Sequence, residues 1–386
     1  MLKGFILYKD NKIPFVIDGF RVELFSDNSC LSEFINEYRS KSDFILNGVC
    51  LGLSTNRRPI TLYVERILAD TLYLHCYIIK MSSDSPQPNT IGFESPYLDD
   101  VFRYKYIYLD MIKGGVSPDS EPKDMYTIPF KMNNCNYQSV YHIGRDARLG
   151  LLEDFNKKGE LRISLQNKDI QECNDLSVVI NRLSKFITSD SESCFKRITL
   201  YNNGINCGWF YSPSVIETAT SAHDVTFCNF EVMRFVPKIL NNLAIDSGSK
   251  IVNSIPLGHI GNIKSLFSPQ RFIEQITAFE YLYDKIDPSK AQNTRFPLKS
   301  ELKEQLEKYP DLLSGHRLSS EDASNEIKEI RRKITHGYEY WYDFCNNREI
   351  QRIMTLLDML IKRMSMNYIG FTDEEINDYC QQTGWL

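Results

Sequence analysis

A short basic stretch near the C-terminus combines the residue types that phosphate chemistry needs. It reads Ile330-Arg331-Arg332-Lys333-Ile334-Thr335-His336-Gly337. A histidine can exchange a proton near neutral pH, and a guanidinium offers a planar fork of donors to phosphate oxygens. With six histidines in the chain, about one Arg-x(4–6)-His match is expected by chance. The pattern therefore gains its meaning from the element that positions it.

The sequence predicts an amphipathic helix over residues 320–336. Ser319 precedes Asp322 by three residues, which is typical of a helix N-terminus. At about 100° per residue, His336 and Arg332 lie opposite the apolar stripe, about 40° apart, and Arg331 lies on its flank. The stripe recurs at spacings of four, three and four, at Ala323, Ile327, Ile330 and Ile334.

In this setting the stretch resembles the site of the HEPN superfamily, most closely that of the ApeA-like HEPN proteins of bacterial anti-phage defence. The family writes its site as Arg, a polar residue, two or three further positions with an aliphatic residue, then His and often Gly. Arg331, Ile334, His336 and Gly337 follow that order. Arg332 departs from it, because the family more often has Asn, Asp or His there.

The resemblance implies a metal-independent endoribonuclease, a hydrolase that serves as a toxin or abortive-infection effector in antiviral defence. It implies RNA as the substrate, with tRNA among the candidates, a homodimer whose two motifs face one another, and a phage-derived trigger or regulatory partner. No cofactor and no metal are expected. The residues it marks as catalytic are Arg331, His336, Arg332 and Glu280, and those it marks as RNA contacts are Lys333 and Tyr338.

Two other interpretations of these residues stay open. The three basic side chains suit a solvated helix end that favours the helix dipole, with His336 as a C-terminal capping residue ahead of Gly337. A catalytically silent HEPN module, serving as a dimerisation or ligand-binding scaffold, would also keep the pattern. Which of Arg331 and Arg332 acts is open as well, since Arg332 lies one helical turn from His336.

Composition bounds the class of protein. The 386 residues suffice for two domains, and 42% hydrophobic content with 12% aromatic residues is typical of a globular chain. A net charge of −5 means that nucleic acid would have to bind a local basic patch.

The ten cysteines form no Cys-x-x-Cys pair, so we expect reduced thiols and no structural zinc. The first residues are too weakly apolar for a signal peptide, no stretch is long enough for a membrane span, and we expect a cytoplasmic protein.

The periodicity changes along the chain and predicts an α+β protein, with a strand-rich N-terminal domain over residues 1–215 and an all-α bundle over 216–386. The resemblance implies that this bundle is of the HEPN type. Strands are predicted over 51–67, 72–80 and 101–110, and a helix over 169–187. Further helices are predicted from 229, over 269–285, over 299–308 and over 349–364. In the strand at 101–110, Arg103 and Lys105 alternate with aromatic residues that could stack on nucleic acid. We favour the interpretation that this aromatic face packs on the core.

Overall fold

The computed structural model describes residues 1–25, 29–51, 57–99, 101–102, 123–144, 158–218, 233–245, 266–286, 298–337 and 343–383. Its fold is α+β, with a strand-rich N-terminal part and a helical C-terminal part. The chain forms two compact units, one of residues 1–181 and 194–221 and the other of residues 182–193 and 222–386. The predicted domain boundary is residue 215, and the chain passes from the first unit to the second after residue 221. Among the described helices, none has the length and apolar character that crossing a membrane requires.

The first unit begins with six antiparallel strands that close on themselves. Their order is β3-β2-β1-β4-β5-β6, and β6 returns to β3 through the pairs from Arg21↔Tyr73 to Glu23↔Thr71. Alternate residues of each strand point into the ring, so that Ile6, Phe15 and Leu62 are almost wholly buried. The strands are β1 (Leu2–Tyr8), β2 (Asn11–Asp18), β3 (Arg21–Leu24), β4 (Phe44–Leu51), β5 (Arg57–Leu68) and β6 (Thr71–Lys80), with helix α1 (Ser29–Tyr38) between β3 and β4.

The sheet leaves the ring along the second half of β6. There the pairing partner changes from β3 to β12, through the pairs from Gly208↔Lys80 to Tyr211↔Tyr77. The sheet then continues in the order β12-β11-β7-β10-β9-β8. These elements are β7 (Thr90–Glu94), β8 (Lys123–Met132), β9 (Cys135–Gly144), β10 (Lys158–Ser164), β11 (Arg197–Asn202) and β12 (Ile205–Tyr211), and helix α2 (Ile170–Thr188) precedes β11.

The strand at 72–80 and the helix at 169–187 are confirmed, as β6 and α2. Two other strand predictions need correction. The segment 51–67 is not one strand, because Leu51 pairs with Arg57 and the chain reverses between them. The strand predicted from 101 is wrong at its start, where Val101 and Phe102 are helical. Phe102 is fully buried and its ring stacks on that of Tyr141, 4.8 Å away between centroids. The rest of that segment, with Arg103 and Lys105, lies outside the described residues.

The second unit is helical in all its described parts. The predicted helix start at 229 lies outside the described residues. The helix described in this region begins at Val236, and Pro237 fits its first turn. The other predicted helices are present, with a further short helix and a terminal one. Their bounds are α3 (Val236–Ile245), α4 (Pro269–Ile286), α5 (Leu298–Lys308), α6 (Pro310–His316), α7 (Ser320–Thr335), α8 (Arg348–Tyr368) and α9 (Asp373–Thr383).

A buried polar network joins α4 to α8. Arg271, 7% exposed, donates from Nη2 to both carboxylate oxygens of Asp358 at 2.8 and 2.7 Å. Gln275 donates to Asp358 Oδ1 at 2.6 Å and to the Met354 carbonyl at 2.9 Å. Removing one partner of a buried ion pair typically costs several kcal/mol, so this network fixes the register of α4. That register matters because α4 carries Glu280.

A buried lysine joins α8 to residues 182–193 of the same unit. Lys362 is 3% exposed and donates to the Phe186 carbonyl and, at 3.4 Å, to the Ser189 hydroxyl. Its ammonium also lies 3.7 Å from the centroid of the Phe186 ring. Burial lowers the pKa of Lys362 from its usual 10.5 to about 7. The folded protein therefore releases this proton at a pH where the unfolded chain still holds it.

We predict that Lys362→Met stabilises the protein most at low pH. Below about pH 7 both states of the wild type carry the proton, and the folded state bears the full cost of burying the charge. Between about pH 7 and pH 10 the unfolded state binds more protons, so wild-type stability gains up to about 1.4 kcal/mol per pH unit from this group. The advantage of the Met variant, measured by denaturant unfolding, should shrink accordingly.

The matched control is Lys285→Met, which removes an exposed lysine of the same unit. Its stability relative to the wild type should not follow pH in this way. A Lys362→Met difference that stays constant from pH 6 to 9 would contradict the assignment.

Candidate functional site

Helix α7 forms where the sequence predicts it and is capped as predicted. Ser319 has an extended backbone, and its side chain accepts a hydrogen bond from the Asp322 amide at 3.0 Å. Ala323, Ile327 and Ile330 are buried, whereas Ile334 is half-buried. The apolar stripe therefore holds the helix against its neighbours up to Ile330, and the last turn stands closer to solvent.

The helix ends at the histidine of the motif. His336 is the C-cap residue, and its amide donates to the Arg332 carbonyl at 3.1 Å. Gly337 has φ +62°, the left-handed conformation that commonly ends a helix. The Thr335 hydroxyl donates back to the Arg331 carbonyl at 2.9 Å. His336 is exposed, at the point where the backbone leaves the helix.

A second helix fixes the side chain of Arg331. Its Nη1 donates to Glu280 Oε1 at 2.9 Å, which joins α7 to α4 across 51 positions of sequence. Both side chains are 38% exposed, so solvent screens the pair. In the part of the chain that the structure describes, this is the one hydrogen bond of the guanidinium. Its other N–H groups are available to a ligand.

The surroundings of Arg331 are rich in carboxylates. Burial raises the pKa of the Glu301 carboxyl on α5, the nearby charges of Glu280, Asp284 and Glu304 raise it further, and Arg331 lowers it. Glu304 also accepts a hydrogen bond from the Tyr283 hydroxyl at 2.9 Å. These carboxylates orient the guanidinium, but their charges oppose the approach of an anionic phosphate. Among the described residues no group of histidine, cysteine, aspartate or glutamate is arranged to hold a metal ion.

The remaining motif residues have separate environments. Arg332 is exposed and turns back along its own helix, where Nη2 donates to Glu329 at 2.8 Å and Nε at 3.1 Å. Lys333 is half-buried in the last turn. Tyr338, expected to contact RNA, lies outside the described residues. The structure thus brings Arg331 and Glu280 together and directs Arg332 to a different carboxylate.

Helix α5 holds the N-terminal end of α7. Lys299 and Lys303, on successive turns of α5, both donate to Glu321, the latter at 3.0 Å. These two ammonium groups lower the pKa of Glu321 to about 2. Glu321 lies in the first turn of α7, where a negative charge also favours the helix dipole. Charges thus fix the start of α7 while the apolar stripe holds its middle.

Of the carboxylates around Arg331, Glu280 was among the predicted site residues, whereas Asp284, Glu301 and Glu304 were not. Their spacing gives a partial signal, since Glu280 and Asp284 are four apart on α4 and Glu301 and Glu304 are three apart on α5. Each pair therefore shares a face of its helix. That both faces turn toward Arg331 depends on helix packing, which the spacing does not specify.

Comparisons of the chain with protein-family models, curated proteins and solved structures gave no match.

Proposed function

We propose that this protein is a metal-independent endoribonuclease of the HEPN type, a toxin or anti-phage effector of the cytoplasm. Two observations support the proposal: His336 is exposed at the C-terminal end of α7, and on the same helix the guanidinium of Arg331 is oriented by Glu280. General acid–base and cationic groups at one helix end are the equipment that RNA cleavage needs. A four-residue stretch between them matches the family's spacing.

The reaction uses the ribose 2′-hydroxyl. A neutral His336 takes the proton of that hydroxyl, whose oxygen attacks the adjacent phosphorus. The bond from phosphorus to the 5′-oxygen breaks, and a protonated histidine donates to the leaving oxygen. The products are a 2′,3′-cyclic phosphate and a 5′-hydroxyl end. DNA, which lacks the attacking group, is not a substrate.

Arg331 stabilises the extra negative charge of the pentacoordinate phosphate. Glu280 acts as its positioning residue, because an exposed ion pair is weak enough for the guanidinium to turn its other N–H groups to phosphate. Arg331 is favoured over Arg332 because its spacing to His336 is that of the family, and because Glu280 of a second helix orients its guanidinium.

The active form is a twofold homodimer. One histidine and one oriented arginine are few groups for a nuclease, and two facing copies supply a proton acceptor and a proton donor in one cleft. The substrate is RNA, with tRNA among the candidates, and a phage-derived trigger or regulatory partner controls access to the site.

One observation favours a second candidate, a catalytically silent HEPN scaffold. Arg331 already has a carboxylate partner, more carboxylates lie nearby, and His336 fills the role of a C-cap. These are the properties of a helix end whose basic residues serve stability. The scaffold would dimerise or bind a ligand without cutting RNA.

We predict that His336→Ala lowers cleavage of total RNA in EDTA by about 10²–10⁴-fold, because the reaction loses its proton-transfer group. Arg331→Ala should lower it by a similar factor through the loss of charge stabilisation. Arg332→Ala should keep most of the activity. The measurement is the initial cleavage rate of purified full-length variants that share the wild-type melting temperature.

Two matched controls belong to this experiment. His316→Ala removes another histidine of the helical unit, and Arg348→Ala removes an exposed arginine of α8; both should cleave like the wild type. Undiminished cleavage by His336→Ala would exclude the nuclease mechanism. Loss in Arg332→Ala with full activity in Arg331→Ala would exclude the assignment of Arg331.

We predict that light scattering finds twice the chain mass of 44.9 kDa, and that specific activity falls when dilution dissociates the dimer. The composite cleft requires both copies, so activity and dimer should disappear together. A strict monomer that cleaves RNA at an undiminished rate would contradict the composite site. A stable dimer that leaves RNA intact would favour the scaffold.

A further inference from the structure

Two adjoining cavities open in the first unit where the sheet leaves the closed ring. Their volumes are about 290 and 330 Å³, and both are lined by Tyr211, Val215 and Glu217. Small-molecule sites usually start at about 300 Å³. Each cavity therefore lies at the lower end of that range, and the shared wall makes them neighbouring compartments of one groove.

Strand register places aromatic rings on one face of this groove. Tyr211 pairs with Tyr77 and Trp209 pairs with Ile79, so these side chains point to the same side of β6 and β12. The rings of Tyr77 and Tyr211 stack, with centroids 4.7 Å apart and planes 12° apart. Tyr77, Trp209 and Tyr211 are half-buried. Each of these side chains packs partly against the hydrophobic core of the six closed strands. The rest of the side chain lines one or both cavities.

Three basic side chains line the cavity of about 290 Å³, beside these aromatic rings. The guanidinium of Arg58 lies over the Trp209 ring, 4.9 Å from its centroid. Arg197, the first residue of β11, and Lys196, which precedes it, also line this cavity, and Arg197 is exposed. Within the described ranges, none of the three forms an ion pair with a carboxylate. They lie in the same wall as one acidic residue, Glu217, so the cavity carries an excess of positive charge.

Charged side chains from several elements affect the pKa of Tyr211. Burial raises its pKa, Glu217 raises it further, and Arg197 and Arg58 lower it. The two arginines come from different strands, β5 and β11, and both act on one ring at the border of the two cavities. Basic side chains around half-exposed aromatic rings are the combination by which proteins bind single-stranded nucleic acid.

We propose that this groove binds single-stranded RNA. A base stacks on the aromatic face, and flanking phosphates contact Arg197, Lys196 and Arg58. Glu217 accepts a hydrogen bond from a base amino group. In a chain with net charge −5, such a local patch supplies the electrostatic attraction that the whole surface lacks. The groove is independent of the catalytic residues and gives the N-terminal unit a substrate-holding role.

The test measures binding without cleavage. The probe is a fluorescein-labelled, fully 2′-O-methylated single strand of about 12 nucleotides, which 2′-hydroxyl chemistry cannot cut. Fluorescence anisotropy with the full-length protein should give an affinity that falls about tenfold in Arg58→Gln and in Arg197→Gln, through the loss of charge-assisted contacts. The matched control is Arg57→Gln, because Arg57 is the preceding residue of β5 and points to the opposite face.

A second measurement follows the aromatic face directly. The chain has three tryptophans, and Trp341→Phe with Trp385→Phe leaves Trp209 as the single tryptophan, which can be excited selectively over the tyrosines. Stacking of a base near this ring should quench its emission on titration with the oligonucleotide. AMP and the same oligonucleotide in a duplex should each bind more weakly than the single strand.

Several outcomes would overturn the proposal. They are equal weakening in Arg57→Gln and Arg58→Gln, unchanged Trp209 emission, AMP binding as tightly as the single strand, and binding that depends on Arg331 but not on Arg197. Because the probe cannot be cleaved, the result is separate from the nuclease proposal. A protein that binds the probe but leaves RNA intact refutes catalysis alone, and one that cleaves RNA without using this groove refutes the groove alone.

Discussion

The ion pair between Arg331 and Glu280 determines what the motif can do. The resemblance to the HEPN site marks Arg331 as catalytic, and a 2.9 Å hydrogen bond joins its guanidinium to Glu280 of a neighbouring helix. The contact depends on the position of α4, and that position depends on the buried bonds from Arg271 and Gln275 to Asp358. A buried network thus sets the geometry, and a solvent-screened pair leaves the arginine free to exchange partners.

Charge is the main physical difficulty for an RNA-cleaving site at this helix end. The carboxylates of Glu280 and of Glu301, which itself lies near Asp284 and Glu304, oppose the phosphate binding that we propose for Arg331. We propose that the basic, aromatic groove of the N-terminal unit compensates for this repulsion, because it would bind RNA through residues that take no part in the chemistry. Binding energy from remote contacts can then offset unfavourable terms at the reacting phosphate.

Local sequence patterns predicted much of the helical architecture. The Ser319 and Asp322 spacing with its isoleucine stripe predicts α7 and its cap, because both interactions lie within a few residues of sequence. The pairing of Arg331 with Glu280, the return of β6 to β3, and the approach of Arg58 to Trp209 all join distant residues. No periodicity records such contacts. The prediction of one strand over 51–67 joined the end of β4 to β5, because the apolar pattern does not reveal that Leu51 pairs with Arg57.

The ends of the RNA fragments test the central claim most directly. Purified wild-type protein is incubated with total RNA in EDTA, and the fragments are labelled by polynucleotide kinase with and without prior phosphatase treatment. Attack by the 2′-hydroxyl leaves 5′-hydroxyl ends, so fragments should label fully without phosphatase and carry 2′,3′-cyclic phosphates. Intact RNA, or fragments that need phosphatase before they label, would contradict the account.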